Sequence, residues 1–172
     1  TGVGGADSIS QEPFSAMKFE DELVTISYNY STTASTYSLQ LYRQDHDKTL
    51  TFLIYIPNYG DAIRAKGVGP RFSANFDDVK SEGNFTIRDL RLSDNAVYYC
   101  GANENYANSP LVFGNGTRLI VEPKRDSSEP SVYILPPYDS DTKNAACLAT
   151  DYFPQNVSMV VAAGNKKQKQ DN

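Results

Sequence analysis

Tryptophan is missing from the 172 residues, histidine occurs once and cysteine only twice. A core built from this sequence therefore lacks the largest aromatic side chain. The two cysteines, Cys100 and Cys147, match neither a zinc-ligand spacing nor a Cys-x-x-Cys redox pair. Both fall in strand-like runs rather than at a helix N-terminus, so neither is placed as an activated nucleophile. The single histidine, His46, stands between Asp45 and Asp47 in a turn-like stretch. A catalytic relay needs a nucleophile held by buried neighbours, and a solvated hairpin tip is the plainer reading. Asp77-Asp78 reads as an exposed turn. Gly67-Val68-Gly69 lacks the strand-to-helix setting of a phosphate loop. Met17 and Met159 read as core fillers rather than cofactor ligands. No cofactor, metal or catalytic residue is expected, and the chain is not expected to be an enzyme.

Long apolar runs and an excess of positive charge are also lacking. Stretches such as residues 159–163 fall far short of the roughly 20 residues that span a bilayer. The start carries no signal-peptide pattern, and residues 1–5 read as a flexible end. Sixteen Lys and Arg against 21 Asp and Glu leave a net charge of −5. That is the wrong sign for nucleic acid or an anionic membrane surface as partner.

What the sequence does contain is period-two patterning. Val24, Ile26, Tyr28 and Tyr30 alternate with Thr25, Ser27 and Asn29. Short β-rich runs follow at 39–44, 49–56, 71–77, 84–90, 96–102 and 117–123, separated by Gly-, Asn-, Asp- and Pro-containing turns. No segment carries a 3.6-residue apolar stripe, so the reading is an all-β sandwich. Residues 122–130, "EPKRDSSEP", are polar and proline-bounded, as in a linker. Strand patterning then resumes. The tail "NKKQKQDN" reads as a solvated turn or frayed end. Asn-x-Ser/Thr triplets begin at Asn29, Asn84, Asn115 and Asn156. These four are glycosylation candidates and point toward a secreted or surface protein.

"DLRLSDNAVYYCGA" (residues 89–102) resembles the approach to the strand F cysteine of immunoglobulin variable domains. Tyr98 stands two residues before Cys100, the tyrosine-corner spacing. "FGNGTRLIVEP" (113–123) resembles a joining segment, whose glycines suit a bulge that needs positive φ. Between them lies the short irregular stretch "NENYANSP". "EPSVYILPP" followed by "ACLATDYFPQNVSM" is similar to the first strands of a constant domain. The resemblance is to T-cell receptor α/δ-type chains, with δ favoured. It implies immunoglobulin-like β-sandwiches: a variable-type domain over 6–122 with joining segment 113–122, a linker over 123–130, and the N-terminal part of a constant-type domain over 131–172. An antibody light chain, or a non-rearranging adhesion or co-receptor protein, is the alternative.

Several expectations follow from the resemblance. The implied function is antigen recognition in a heterodimer whose second chain is γ if this one is δ, and β if it is α. Antigen or an antigen-presenting molecule is the implied ligand. Signalling subunits and a plasma-membrane anchor belong to the full-length receptor, of which this sequence is expected to be a part. Loops 31–37, 56–61 and 101–112 should form the ligand surface through Tyr37, Tyr59, Asn103, Glu104, Asn105 and Tyr106, since tyrosine among small polar residues suits recognition. Strand parity puts Tyr42, Gln44 and Tyr99 on the face opposite Leu41 and Cys100; with Phe52 and Phe113 they should meet the partner chain. Arg71 and Asp94 should form a bidentate ion pair at the other end of the sandwich.

Two family hallmarks are absent. Where relatives carry the strand B cysteine and the strand C tryptophan, this sequence has Tyr28 and Leu41. Cys100 then has no partner in its own domain, and Cys147 belongs to another core. A disulfide of this span is typically worth about 2–4 kcal/mol. Tyr28 is expected to fill the core beside Leu41 and Cys100 as a coupled repacking.

Overall fold

Period-two patterning becomes strand in the computed structural model, which describes residues 8–106, 108–137, 141, 145–154 and 156–171. The terminal stretch 1–5 lies outside the described residues. Described strands are β1 (Ser8–Glu12), β2 (Ser15–Phe19), β3 (Val24–Ser31), β4 (Tyr37–Gln44), β5 (Leu50–Pro57), β6 (Ile63–Arg64), β7 (Phe72–Asp77), β8 (Glu82–Ile87), β9 (Ala96–Glu104), β10 (Val112–Phe113) and β11 (Thr117–Glu122), with one 3-10 turn at Leu92–Asp94. They form a four-stranded sheet, β1-β3-β8-β7, and a seven-stranded sheet, β2-β11-β9-β4-β5-β6 with β10 paired to β9. The chain divides into two compact units between Lys124 and Arg125.

Register in the four-stranded sheet sorts residues into rows. Gln11, Tyr28, Gly83 and Phe76 share one inward row, and Ile26, Phe85 and Ala74 share the next. Glu12, Ser27, Asn84 and Asn75 form an outward row, beside Ser10, Asn29, Glu82 and Asp77. The inward rows and Leu39, Leu41, Ile54, Tyr98 and Cys100 of the other sheet make one buried core. Burial on this scale drives the sandwich, at roughly 25 cal/mol per Å² of apolar surface.

Tyr28 is 1% exposed and does enter that core. Its stacking partners are on its own sheet: Phe85 at 4.7 Å and Phe76 at 5.9 Å between ring centroids. The hydroxyl crosses Gly83 and donates to the Asn75 carbonyl oxygen at 2.9 Å. Tyr28 also depends on Gly83, the residue whose missing side chain gives the ring its path. Leu41 lies opposite Cys100 and Ile54, and Cys100 is a buried free thiol.

The joining-segment glycines act differently from one another. Gly116 has φ +91, and a Cβ there would lie 2.8 Å from the Tyr99 ring. Gly114 has no positive φ. Its hydrogen makes room for Gln11, whose Oε1 would be 2.5 Å from a Cβ. Buried Gln11 accepts from the Cys100 N–H at 2.9 Å and donates to the Tyr98 carbonyl and Thr117 Oγ1 at 3.0 and 2.9 Å. One amide thus ties β1 to β9 and β11 with no polar atom left unmet.

The second unit contains two hairpins, β12 (Ser131–Leu135) with β13 (Ala146–Thr150) and β14 (Ser158–Ala163) with β15 (Lys166–Asp171). Two sequence readings need correction here. The polar tail is strand β15, because Gly164, at φ +60, opens a two-residue Gly-Asn turn that folds it back on β14. The linker read over 123–130 is shorter than expected: Ser128 and Phe153 exchange backbone hydrogen bonds at 3.1 and 3.2 Å, and Arg125 lies 4.8 Å over the Phe153 ring.

Candidate functional site

Strand β4 supplies two functional faces because alternate residues point opposite ways. Leu39 and Leu41 pack inward, while Ser38, Gln40, Tyr42 and Gln44 face out across the seven-stranded sheet. Register brings Tyr42 opposite both Tyr99 and Phe52, across a bulge in β5. Tyr42 meets Phe52 at 5.7 Å and Phe113 at 5.5 Å, and Tyr99 meets Phe113 at 6.4 Å. Phe52 and Phe113 remain 37% and 42% exposed. Gln44 is half-buried at the end of the same row. Gly101 allows this cluster to lie flat, since a Cβ there would come within 3.3 Å of Leu111, Phe113 and Tyr42. Above it, Asn103 accepts hydrogen bonds from Ser38 at 2.9 Å and Gln40 at 2.5 Å. An exposed aromatic cluster with a polar border has the character of a protein interface.

At one end of the sheets the loops are shorter than the sequence suggested. Tyr37, Asn103 and Glu104 lie in strands, and Tyr37 and Glu104 are 4% and 9% exposed. The assignment of Tyr37 and Glu104 as ligand-contacting loop residues is corrected, and Asn103 stays half-exposed on its strand. Tyr37 packs edge-on against Tyr30 and Phe76. Its hydroxyl donates to Asp78 Oδ1 at 2.6 Å. Glu104 accepts from the Thr32 hydroxyl. The residues left at the surface are Tyr59, Asn105 and Tyr106, with the two tyrosines 68% and 57% exposed.

Asp78, read from sequence as part of an exposed turn, is what joins these loops. It accepts from Tyr37 and from Asn58 Nδ2 at 3.2 Å. Asn58 in turn donates to the Ser35 carbonyl and accepts from the Tyr37 N–H. The Tyr37 hydrogen bond, then that of Asn58, hold the Asp78 carboxyl below its usual range. Only the fold shows this, because residues 35, 58 and 78 have no local pattern that relates them.

At the opposite end, Arg71 donates to Asp94 through Nη1 at 2.9 Å and Nη2 at 3.0 Å. The same Nη1 also reaches the Arg88 and Asp89 carbonyls, each at 3.0 Å. Tyr98 donates its hydroxyl to the Asp94 carbonyl at 2.8 Å. Burial opposes ionisation of Asp94, but hydrogen bonds from Arg71 and the Arg91 N–H outweigh it and keep the carboxyl below its usual range. A value depressed in the folded state stabilises the fold fully above the unfolded value, about 3.9, and is lost as pH falls through the folded one. Thermal unfolding is expected to be nearly flat from about pH 7 to 5 and to shift downward below about pH 4. Asp94→Asn should remove part of that fall; an identical pH profile in the variant would contradict this origin.

The remaining candidates hold no reactive geometry. Burial raises the Cys100 thiol, which stays protonated. Cys147 is half-buried in β13 and free. His46 is exposed in its turn. Met17 is 65% exposed, so its reading as a core filler is corrected; it lies on β2, whose outward face it occupies. Among the described residues no group of three His, Cys, Asp or Glu side chains is placed to hold a metal. No described helix is long and apolar enough to cross a membrane. Asn29, Asn115 and Asn156 are exposed, and Asn84 is half-buried.

Residues 9–122 match the immunoglobulin V-set domain family. The chain belongs to this family. Its V-set domain is similar to antigen-receptor variable chains of several kinds. A T cell receptor alpha chain of Homo sapiens is 34% identical over 154 residues, covering 89% of this chain and 54% of the relative. The chain thus spans about half the length of that receptor chain. An Ig kappa chain V region of Oryctolagus cuniculus is 32% identical over 68% of this chain and 99% of its own length. A T-cell receptor gamma chain V region of Mus musculus is 29% identical over 69% of this chain and 90% of its own. Among solved structures, a chain from "Structural basis of T cell specificity and activation by the bacterial superantigen toxic shock syndrome toxin-1" superposes with a TM-score of 0.61 at 22% identity, over 68% of this chain and all of that one. The fold is the immunoglobulin-like β-sandwich, and the relatives are receptor chains rather than enzymes.

Proposed function

We propose that the chain is an antigen-recognition chain of a heterodimeric T-cell receptor, of α/δ type, without enzymatic activity. The observation that carries this is the exposed cluster of Tyr42, Phe52, Tyr99 and Phe113 beside the loop that β9 and β10 bracket. Gln44, in the same outward row, offers an amide donor and acceptor to the partner. Tyr59, Asn105 and Tyr106 present the ligand surface, with Asp78 holding the loops beneath it. The unit after Lys124 is read as the N-terminal part of a constant-type domain. The 154-residue alignment with the alpha chain supports this, being longer than the first unit. The receptor's cell-surface location, antigen and signalling subunits come with this reading.

Co-expression with γ-chain and β-chain ectodomains tests it and also decides between δ and α: pairing with γ means δ, and pairing with β means α. A single heterodimer in sedimentation velocity is expected, and Phe52→Glu should weaken it about 100-fold, as loss of a central aromatic anchor does. Absence of pairing with either chain would overturn the reading.

A further inference from the structure

The outer face of the four-stranded sheet differs in kind from the aromatic face. Every side chain that points outward from β1, β3, β8 and β7 is Ser, Thr, Asn, Asp or Glu. None is apolar and none is basic, so the face offers no anchor for a protein partner. Two of the four glycosylation triplets converge on it. Asn29 lies opposite Glu82, and Asn84 lies opposite Ser27. Asn29 and Asn84 are thus diagonal neighbours on adjacent strands, roughly 7–8 Å apart.

Their local geometry suits attachment. Asn84 Oδ1 accepts from Ser27 Oγ at 2.8 Å, which turns the amide nitrogen away from that contact. Asn29 is exposed and its neighbour Tyr30 is buried, so a substituent on Asn29 projects from the sheet rather than into it. The acceptor hydroxyls are Ser31, exposed at the end of β3, and Thr86, whose Oγ1 lies 3.4 Å from that of Thr25. Asn115 is placed differently. Its triplet ends at Thr117, whose hydroxyl is fully buried between Gln11 and the Pro13 carbonyl.

We infer that this face is a glycan-bearing face, with N-linked oligosaccharide on Asn84 and Asn29. The amide nitrogen forms a bond to the anomeric carbon of a lipid-pyrophosphate-linked oligosaccharide. The bond from that carbon to the pyrophosphate oxygen breaks, the lipid pyrophosphate leaves, and the amide loses one proton. The inference rests on the receptor reading for export from the cell. It assigns to the sugar a face that shares no residue with the pairing face, so both surfaces serve at once.

The test supplies export itself. The chain is fused to a secretion signal, expressed in mammalian cells, and the secreted protein is deglycosylated by a peptide N-glycosidase in heavy-oxygen water. Heavy-oxygen aspartate is expected at positions 84 and 29. Ser31→Ala and Thr86→Ala, which leave both asparagines in place, should each abolish label at its own site. Translation with microsomes reads the same additions as gel-mobility shifts even where a variant fails to fold. Label confined to 115 or 156, or no label, overturns the inference whatever the pairing result. Enzymatic removal of the sugar should leave heterodimer affinity unchanged; a tenfold loss would place the glycan in the interface and overturn the division between faces.

Discussion

Replacing Gly83 with alanine is expected to destabilise the first unit by about 3 kcal/mol or more, above the usual range for an added methyl in a core. A Cβ at this position would lie 2.7 Å from Tyr28 Oη and 2.9 Å from Cζ, and closer still to the Asn75 carbonyl oxygen. The ring cannot yield cheaply. It is stacked against Phe85 and Phe76, and moving it breaks the bond to the Asn75 carbonyl, leaving the buried Tyr28 hydroxyl unmet at a cost of about 1–3 kcal/mol. Neither can Asn75 yield freely, since its side chain accepts from the Asn84 N–H at 3.0 Å. Against a total stability of about 5–15 kcal/mol, this change unfolds a large share of a domain that already lacks its intersheet disulfide. Denaturant unfolding of Gly83→Ala alone, and in a Tyr28→Ala background, provides the check. Coupling above about 1 kcal/mol is expected, because Tyr28→Ala removes part of the clash. Simple additivity would show that the ring and the glycine are independent.

Arg71→Met is expected to cost about 3–5 kcal/mol, the range for removing one partner of a buried pair. The Asp94 side chain is 3% exposed and that of Arg71 17%. Exposed ion pairs contribute about 0–1 kcal/mol, and this one differs because the surviving carboxylate would stay out of water. Two backbone carbonyls, of Arg88 and Asp89, also lose their donor. The double change Arg71→Met with Asp94→Leu removes the stranded charge and should recover much of the loss. Unfolding free energies of the two single variants and the double variant decide it. A single-variant cost under 1 kcal/mol would mean that water replaces the guanidinium.

Strand alternation was legible in residues 24–31 because each outward residue is short and polar and each inward one is apolar. The spacing of Tyr98 to Cys100 and the run Phe113–Thr117 carried the domain type through their resemblance to variable-domain motifs, which lie in neighbouring residues. Tyr28 was read as a core residue, and it is buried. Its partner was not legible: Gly83 lies 55 residues away in sequence, and only β3–β8 pairing brings it opposite. The same holds for Asp78. In sequence it is one of two adjacent carboxylates in a turn, whereas in the fold it receives Tyr37 from β4 and Asn58 from the loop after β5. Gln11 carries no motif at all, yet it bridges three strands. Periodicity and turn chemistry reside in neighbouring residues, so the sequence by itself determined the sandwich, its two faces and the approximate loops. Which side chains fill the absent disulfide's place, and which carboxylate holds the loops, were decided by sheet register between distant strands, and register exists only once the tertiary structure has formed.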